Sequence, residues 1–444
     1  MMLIKKQMFG GGDVLSEEAQ KYINRKGINE GRIVLHSDLN NFFASVECLK
    51  SRFLKSYPVA VCGSVEERHG IVLAKNNIAK AYGIKTGQVI WQAKQKCPNL
   101  IVLEPNYEDY LKYSDIVRKI YSSFSDRVEP FGMDEAWLEL TGINGVKTLE
   151  DGAKKANELR KCVYEETGLT VSVGVSDNKT FSKLASDYKK PDAVTVLGPD
   201  EYVDKISGLS LGEMIFAGRS TQKRLKSFDI ETIRDIAYKD KYFFRSVLGK
   251  NGVFLYYNAC GYDTSPVVPS DAPDIIKSIG NSATPPRDLT SYEDIKLMLH
   301  ALCDKVCTRL RKIKMRATVL QIHVRDTKLN TCERQCRIQA TDNEIDFTNA
   351  AVALYFQNFG EYINLRSIGV RAMGLIKIND TYQCMLFGAD DIKEIKMTMI
   401  DNTVDAIREK FGKGVIKRGV LHTDKSLYSP IYSGKHLIQP FKSH

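Results

Sequence analysis

The chain lacks long apolar segments. Its 444 residues contain no hydrophobic run near the roughly 18 residues that a membrane span needs. The amino-terminal stretch MMLIKKQMFGGGDVLSEEAQKYINRKG has no continuous apolar core followed by a cleavage site, so we expect no export. No internal repeat is evident either. These absences predict a cytoplasmic protein without a membrane partner, and its length predicts two to four domains.

The sequence also lacks a disulfide framework. Ten cysteines are scattered along the chain, which is typical of thiols kept reduced. Two pairs, Cys303/Cys307 and Cys332/Cys336, are spaced by four residues, and four thiols are enough for a zinc site. The first pair falls in a helix-like run, LMLHALCDKVCTRLRK, where this spacing places both thiols on one face. Core packing is therefore the favoured interpretation, with zinc binding as the alternative.

Positive charge is in excess. Lysine and arginine (64) outnumber aspartate and glutamate (54), which gives a net charge of +10. Such an excess favours a polyanionic partner such as nucleic acid, although it does not by itself establish one. The 43% hydrophobic and 27% charged composition is that of a folded globular chain.

The pattern of elements in the first half predicts an α/β sheet. A buried strand, GRIVLHSDL, precedes a helix, NNFFASVECLKSRF, and then a small mixed insert. A long helix, two short strands (DRVEPF and AWLELT), another helix and the strand LTVSVGVS follow. We expect the turn between the short strands at Gly132–Glu135. The order β-α-insert-α-β-β-α-β is close to a ferredoxin-like split βαβ fold.

The second half predicts a helical region, a linker and another α/β unit. Helices dominate from Lys179 to about Tyr262, and the proline-rich DTSPVVPSDAPD (Asp263–Asp274) indicates a linker. An α/β unit follows, with basic residues concentrated in Arg309–Arg325. From about Asp380 onward we expect a tail with one helix.

Three carboxylates are predicted to meet at one sheet edge. Asp38 ends the first strand, and Asp134 and Glu135 lie side by side in the hairpin GMDEAW. Adjacent carboxylates repel each other, so a cation is expected beside them. Hard oxygen ligands favour Mg²⁺ or Mn²⁺. The alternative is that these are surface acids on a turn.

Four motifs together resemble the Y-family translesion DNA polymerases, the group that includes bacterial polymerase IV and the polymerase V catalytic subunit. They are LHSDLNNFFASVE, QAKQKCPNL, GMDEAWLELTG and VSVGVSDNKTFSKLASDYKKPDAV, and they occur in the family's order. The resemblance extends over about Arg32 to Asp380.

The resemblance implies a multidomain right-hand polymerase of mixed α/β class with a ferredoxin-like palm, small fingers, a helical thumb and an α/β little finger. The implied division is an amino-terminal extension (1–31), palm (32–48 and 105–205), fingers (49–104), thumb (206–262), linker (263–275), little finger (276–380) and carboxy-terminal tail (381–444).

The resemblance also implies a catalytic centre with two Mg²⁺ ions, Mn²⁺ being the alternative. Asp38, Asp134 and Glu135 would bind the ions together with the Leu39 carbonyl. The primer 3′-hydroxyl would attack the α-phosphate of a dNTP, and pyrophosphate would leave.

Further residues would bind the dNTP. Lys190 matches a lysine that contacts the triphosphate in the family, and the helix N-terminus at Asn41–Phe43 would present backbone N–H groups. The fingers carry Asn77 and Lys80 where relatives usually have tyrosine and arginine, so the bidentate fork is lost. Phe43 matches the ring that excludes ribonucleotides, with Phe42 as the alternative. Asn40 stands where many relatives have a second acid.

The candidates for DNA contact lie in the thumb and little finger. In FAGRSTQKRLKSFDI, only Gly218 remains of the usual Gly-x-Gly, and Arg219 is adjacent. The little-finger candidates are Arg316, Arg325 and Arg371, which would contact phosphates. Each of these side chains could instead be a solvated surface charge.

The segment QCMLF fits the Gln-x-x-Leu-Phe pattern of peptides that bind the bacterial sliding clamp. Gln383 would anchor by hydrogen bonding, and Leu386 and Phe387 by apolar burial. The alternative is a segment that packs on its own domain.

These features predict a low-fidelity, translesion DNA-templated DNA polymerase. We expect primer-template DNA, dNTPs and the clamp as partners, and a monomeric chain. The competing hypothesis is a catalytically inactive, clamp-tethered DNA-binding protein with a vestigial polymerase site.

Overall fold

The computed structural model describes residues 29–64, 70–201, 205–269, 271–272, 276–360, 364–378, 389–412 and 414–432. It divides into two compact units, of which the first comprises Met1–Tyr57 with Glu108–Ala272 and the second Pro58–Tyr107 with Pro273–His444. The domain boundaries expected from the sequence remain predictions.

The strands, in chain order, are β1 (Val34–Leu39), β2 (Val59–Cys62), β3 (Val72–Lys75), β4 (Ile101–Leu103), β5 (Val128–Phe131), β6 (Glu135–Glu139), β7 (Val171–Ser176), β8 (Val194–Leu197), β9 (Ser278–Ala283), β10 (Met315–Asp326), β11 (Thr331–Thr341) and β12 (Leu365–Lys377).

The α-helices are α1 (Phe42–Lys50), α2 (Asn77–Ala81), α3 (Ile90–Lys96), α4 (Tyr107–Phe124), α5 (Leu149–Thr167), α6 (Lys179–Tyr188), α7 (Arg219–Lys226), α8 (Ile233–Ala237), α9 (Lys241–Leu248), α10 (Lys250–Ala259), α11 (Tyr292–Lys312), α12 (Glu344–Phe359), α13 (Ala389–Phe411) and α14 (Lys425–Tyr432). Short 3₁₀ turns occur at Arg52–Ser56, Pro199–Glu201, Leu211–Glu213 and Gly419–His422.

The first unit is built around a five-stranded sheet in the order β5-β6-β1-β7-β8. The central strand β1 pairs antiparallel with both β6 and β7. All residues of β1 and β7 are buried, including the polar residues His36, Ser37 and Asp38 of β1. The mixed α/β class and the ferredoxin-like order are confirmed.

Two details of this sheet differ from the prediction. Val194–Leu197, expected in a helical region, forms β8 because it pairs in parallel with β7. Glu135, expected in the turn, is the first residue of β6, so the turn consists of Gly132–Asp134.

Helix α6 lies unusually close to this sheet. Gly174 in β7 permits the approach, since a Cβ there would be 1.9 Å from the Ser182 carbonyl oxygen. The helix begins after Asn178, whose side chain accepts a hydrogen bond from the Phe181 N–H. The close packing fixes the direction in which α6 presents its polar residues.

Part of the predicted linker packs on the first unit. Asp263 accepts hydrogen bonds from the backbone N–H and hydroxyl of Thr180, at 3.0 and 2.9 Å. Val267 is buried against Val34 and Trp137. The linker sequence therefore begins with a fixed segment.

The second unit contains two sheets. The smaller has the order β3-β2-β4, with α2 and α3 supplying Ala79 and Ala93 to its core. The larger is a fully antiparallel sheet, β11-β10-β12-β9, with a core that includes residues of α11 and α12. Cys303 and Cys307 belong to that core, and Cys332 and Cys336 pack against it.

The carboxy-terminal segment is more structured than expected. The predicted single helix corresponds to α13, and α14 is an additional helix that the prediction missed. Leu421, Leu427 and Tyr428 are buried in the same core as α11. Among the described residues, no helix is both long and apolar enough to cross a membrane.

Candidate active site

The pairing of β1 with β6 brings the three predicted acids to one end of the sheet. Asp38 and Glu135 are directly opposite each other, and the Leu39 N–H donates to the Asp134 carbonyl oxygen at 2.9 Å. Gly132 adopts φ +87°, a conformation that L side chains rarely adopt, and so permits the tight turn before Asp134.

Burial and neighbouring negative charge raise the pKa values of Asp38 and Asp134. Burial, followed by the charge of Glu135, raises the pKa of Asp38. Burial together with the charges of Glu135 and Asp38 raises the pKa of Asp134 to about 6. The charge of Glu135 therefore opposes the ionisation of both Asp38 and Asp134.

Two lysines contact the acids. Lys190, expected at the site, lies with Nζ 2.7 Å from both Asp38 Oδ2 and Asp187 Oδ1. Lys183, which the prediction missed, has its Nζ 2.9 Å from Glu135 Oε2 and 3.3 Å from Asp38 Oδ2. The spacing of Lys183 and Asp187, i and i+4 on α6, was the available signal, since it places them on one helix face.

His36 supports the cluster from inside the sheet. It is fully buried, and burial lowers its pKa well below the usual value. Its Nδ1 is 2.8 Å from Ser186 Oγ, whose hydroxyl donates to the Lys183 carbonyl oxygen. The imidazole is therefore assigned as neutral, and its other nitrogen, Nε2, lies 3.3 Å from Glu135 Oε2.

The donor set suits a hard divalent cation. Asp38, Asp134, Glu135 and Asp187 supply four carboxylates against the two ammonium groups of Lys183 and Lys190, which leaves two negative charges when all are ionised. Carboxylate oxygens in such a setting favour Mg²⁺ or Mn²⁺. In the described part of the chain, however, no three His, Cys, Asp or Glu side chains are already arranged around a metal position. The oxygens of Asp38 and Glu135 meet at Lys183 instead.

Asn40 has a structural role. Its Nδ2 donates to Ser172 Oγ at 2.9 Å, and its Oδ1 accepts from the Asp192 N–H at 2.9 Å. It thus joins β1 to β7 and to the loop that carries Lys190. Asn41 precedes α1 in a left-handed conformation, with φ 52°.

Phe42 and Phe43 occupy different environments. Phe42 is 3% exposed and belongs to the core. Phe43 is partly exposed and stacks on Tyr110, with ring centroids 4.2 Å apart and an interplanar angle of 9°. The Tyr110 hydroxyl donates to Glu47 at 2.7 Å, which fixes the ring beneath Phe43.

Asn77 and Lys80 lie in the second unit, on α2. Both are exposed and three residues apart, so they share a helix face. Asn76 caps this helix by accepting from the Ala79 N–H.

Gly218 precedes α7 as its N-cap, and Arg219 is the first residue of the helix. Both are exposed, and a Cβ on Gly218 would meet nothing within 4 Å. Lys223 and Arg224 are exposed on the same short helix, which is therefore strongly basic.

The arginines of the large sheet divide into two groups. Arg371 pairs with Gln321 across β10 and β12, on the sheet face opposite to the buried Leu320 and Ile322. Arg325 lies on the same face as Gln321, because side chains alternate between the two faces along β10. Arg316 instead lies 3.7 Å from Asp342 with its side chain 17% exposed.

Arg337 on β11 is an additional exposed arginine of this face. It pairs with Val319, two residues from Gln321. The sequence CERQCRIQAT could have indicated the exposure of Arg337, because polar and less polar residues alternate around it as on a strand with one exposed face. Gln383, Leu386 and Phe387 lie outside the described residues.

Two family models match the chain. The impB/mucB/samB family model matches residues 37–187, and the impB/mucB/samB family C-terminal domain matches residues 276–386. DNA polymerase IV of Acetivibrio thermocellus is 45% identical over 397 residues, which cover 89% of this chain and 99% of that protein. DNA polymerase IV of Alkaliphilus oremlandii is 33% identical and covers 88% of this chain and 98% of its own length.

Other relatives agree. DNA polymerase IV 1 of Bacillus subtilis is 32% identical over 392 residues, which cover 88% of this chain and 93% of that protein. A solved structure of a Y-family DNA polymerase chimera of Dbh and Dpo4 superposes with a TM-score of 0.67 at 24% identity. It covers 78% of this chain and 99% of its own.

Proposed function

This chain belongs to the impB/mucB/samB family of Y-family translesion DNA polymerases, and we propose that it extends a primer 3′ end by two-metal nucleotidyl transfer at the Asp38–Asp134–Glu135 cluster. The observation that carries the proposal is that Asp38 and Glu135 lie opposite each other on paired strands, with Asp134 in the adjoining turn. A domain that binds DNA without catalysis has no need of such mutually repelling carboxylates.

The acids and the Leu39 carbonyl are the groups that would hold two Mg²⁺ ions, with Mn²⁺ as the alternative. When bound, these ions would activate the primer 3′-hydroxyl and neutralise charge on the leaving pyrophosphate. Lys183 contacts both Asp38 and Glu135, which lie on paired strands. Displacement of this one lysine would therefore free an oxygen of each acid for a metal ion.

Lys190 is our candidate for the triphosphate. Its ammonium group is at the edge of the acid cluster, 26% exposed, and contacts only carboxylates in the bonds described above. A triphosphate offers it a stronger anionic partner than Asp38. Asn77, Lys80 and the backbone N–H groups of Asn41, Phe42 and Phe43 are the other proposed nucleotide ligands.

We assign ribonucleotide exclusion to Phe43. Its partial exposure supports this role, whereas Phe42 is enclosed in the core. The Tyr110 ring stacked on Phe43 would resist its displacement by a ribose 2′-hydroxyl.

Duplex DNA would bind through phosphates. Gly218 and Arg219 are the proposed thumb contacts, and Arg325, Arg337 and Arg371 the proposed little-finger contacts. Arg316 is a weaker candidate than the sequence suggested, because it is mostly buried beside Asp342.

Three further proposals concern the whole chain. Gln383, Leu386 and Phe387 would bind the bacterial sliding clamp, and the enzyme would act as a cytoplasmic monomer. Copying would be of low fidelity and would continue past damaged template bases. No observation favours the catalytically inactive alternative.

Primer extension tests the function. The protein is incubated with primer-template DNA, dNTPs and Mg²⁺, on intact templates and on templates with one abasic site. We expect extension on both, and at least a 10³-fold loss in Asp134→Ala, since charge neutralisation carries this chemistry. Asp151→Asn, a change at a surface acid of α5, is the control and should retain activity. DNA binding without extension would favour the inactive alternative.

A further inference from the structure

Lys183 links three carboxylates that the proposed reaction does not require it to touch. We propose that Lys183 is the built-in counter-cation of the acid cluster: it holds Asp38 and Glu135 together in the metal-free protein and is displaced from them when a divalent cation binds. The inference rests on the proposed function, because it concerns the same acids.

The geometry is that of a bridge. Nζ of Lys183 lies 3.3 Å from Asp38 Oδ2, 2.9 Å from Glu135 Oε2 and 3.2 Å from Asp187 Oδ2. These acids come from β1, β6 and α6, so one ammonium group connects two strands and a helix.

The position of the bridge is fixed by packing. Lys183 is 11% exposed, and α6 lies against β7 at Gly174, where no side chain could fit. The carbonyl of Lys183 is also bonded by Ser186, which in turn contacts His36 in β1. Helix α6 therefore has little freedom to shift, so we expect a metal ion to displace Lys183 by rotation of its side chain alone.

Charge explains why a cation is needed there. With Lys183 removed, Asp38 would keep Lys190, the more exposed of the two lysines. Glu135, directly opposite Asp38, would keep the neutral ring of His36, whose Nε2 lies 3.3 Å from Glu135 Oε2, but no ammonium group among the contacts described. Buried like charges without a counter-ion are strongly destabilising. A divalent cation supplies the missing charge, so the lysine and the metal compete for the same oxygens.

Competition predicts a coupling between lysine and metal. Removing the ammonium group should destabilise the metal-free protein and also tighten metal binding, because the metal no longer has to displace a competing cation. A ligand that binds only the folded state stabilises it by RT ln(1 + L/Kd), where L is the free ligand concentration, so tighter binding gives a larger metal-induced rise in Tm. A lysine that merely packed against the sheet would lower stability without changing the response to metal.

The test is thermal unfolding of the full chain, without DNA or dNTP, in EDTA and across a MgCl₂ or MnCl₂ titration. In EDTA, Lys183→Met should lower Tm by about 5 °C or more, given the cost of an unpaired buried charge. Saturating metal should then raise Tm by clearly more in Lys183→Met than in the wild-type protein.

Lys179→Met is the matched control. Lys179 lies on the same helix and forms an equally buried pair with Glu129, at 2.7 Å, away from the acids. It should lower Tm in EDTA, but metal should raise Tm only as much as in the wild-type protein. An equal metal-induced shift in Lys183→Met and Lys179→Met would overturn the proposal.

A second variant covers the case in which Lys183→Met does not fold. Lys183→Gln keeps hydrogen-bonding capacity and removes the charge, and Mn²⁺ binding to it is followed by electron paramagnetic resonance. We expect at least threefold tighter binding than in the wild-type protein, and equal or weaker binding would contradict the proposal. These readouts need no turnover, so a wild-type chain that failed to extend primers would refute the proposed function without altering this result.

Discussion

At the level of single residues, the acid cluster combines four carboxylates with two ammonium groups on the first unit. Its lysines come from α6 and the loop that follows, and its acids come from β1, from β6 and the turn before it, and from α6. Because most of these groups are buried, exchanging one charge changes the energies of all the others.

Asp134 should make the metal-free protein pH-sensitive. Its pKa is raised to about 6 in the folded state by burial, Glu135 and Asp38. The protonated form is thus favoured by folding: this contribution to stability is full below pH 4 and is lost as the pH rises through 6. Above pH 7 we expect Asp134→Asn to be more stable than the wild-type protein, by on the order of 2 kcal/mol.

Urea unfolding in EDTA at pH 4, 6 and 8 checks this expectation. The advantage of Asp134→Asn should vanish at pH 4, and the exposed Asp126→Asn should show none at any pH. If the stability difference between Asp134→Asn and the wild-type protein were the same at all three pH values, repulsion between Asp134 and its neighbouring acids would be contradicted.

Substitution of Phe43 should affect the selection against ribonucleotides, whereas substitution of Phe42 should affect the stability of the core. Phe43→Ala should raise ribonucleotide incorporation, relative to dNTP, by about tenfold or more, since one steric contact of this kind is worth about 1–3 kcal/mol. Phe42→Leu should leave the selectivity unchanged and cost about 1 kcal/mol of core packing. Single-nucleotide incorporation kinetics with ATP and dATP provide the measurement. Increased ribonucleotide use in Phe42→Leu alone would transfer the role to Phe42.

At the level of elements, α13 is anchored to α11 by buried ion pairs. Arg311 Nε lies 2.6 Å from Asp405 Oδ2, and Arg311 Nη1 lies 3.4 Å from Asp401 Oδ2. Arg408 of α13 forms a second pair with Asp304 of α11 at 2.8 Å. The carboxy-terminal helices are therefore an integral part of the second unit's larger core.

Breaking this anchor should be costly. Arg311→Met leaves the carboxylates of Asp401 and Asp405 without their arginine, and we expect destabilisation on the order of 3 kcal/mol. Lys312→Met, at the exposed neighbouring position, should change stability by less than about 0.5 kcal/mol. Denaturant unfolding measures both. Equal effects would show that the helix is held by apolar contacts alone.

The exposed face of the large sheet should account for much of the salt dependence of DNA binding. Arg337→Ala and Arg371→Ala should each reduce the slope of log K against log salt by about 1. Lys296→Ala, on the helical layer of the same unit, should leave the slope unchanged. Fluorescence anisotropy with duplex DNA at several salt concentrations tests this, and an unchanged slope in both arginine variants would place the DNA elsewhere.

At the level of the whole molecule, the segment proposed to bind the clamp lies in the sequence between β12, which ends at Lys377, and α13, which begins at Ala389. The combined variant Gln383→Ala, Leu386→Ala and Phe387→Ala should lose stimulation by a loaded clamp while retaining unassisted extension. Met385→Ala, at a position the pattern leaves open, is the control. Stimulation that survives the triple change would contradict clamp binding through this segment.

Several parts of the fold followed from local pattern. The strand that contains Asp38, the helix after it and the hairpin around Gly132 were predicted correctly, although the strand ends one residue later, at Leu39. Apolar runs and turn residues are short-range signals. The strand β8 was missed because its four residues depend on pairing with β7. The helix α14 was missed because its burial depends on the core formed with α11.

The residue types and their order along the chain were sufficient to identify the polymerase family. They also led to the proposal of the three acids and Lys190 as its site, since each belongs to a contiguous motif. The bridge formed by Lys183, the ties made by Asn40 and the separate environments of Phe42 and Phe43 became evident only in the folded chain. Lys183 and Asp38 are 145 positions apart, and no local pattern specifies a contact across such a distance. The contact between Lys183 and Asp38 arises because β1 pairs with β7 and α6 packs against both strands. The proximity of the ammonium group and the carboxylate is therefore a property of the tertiary structure.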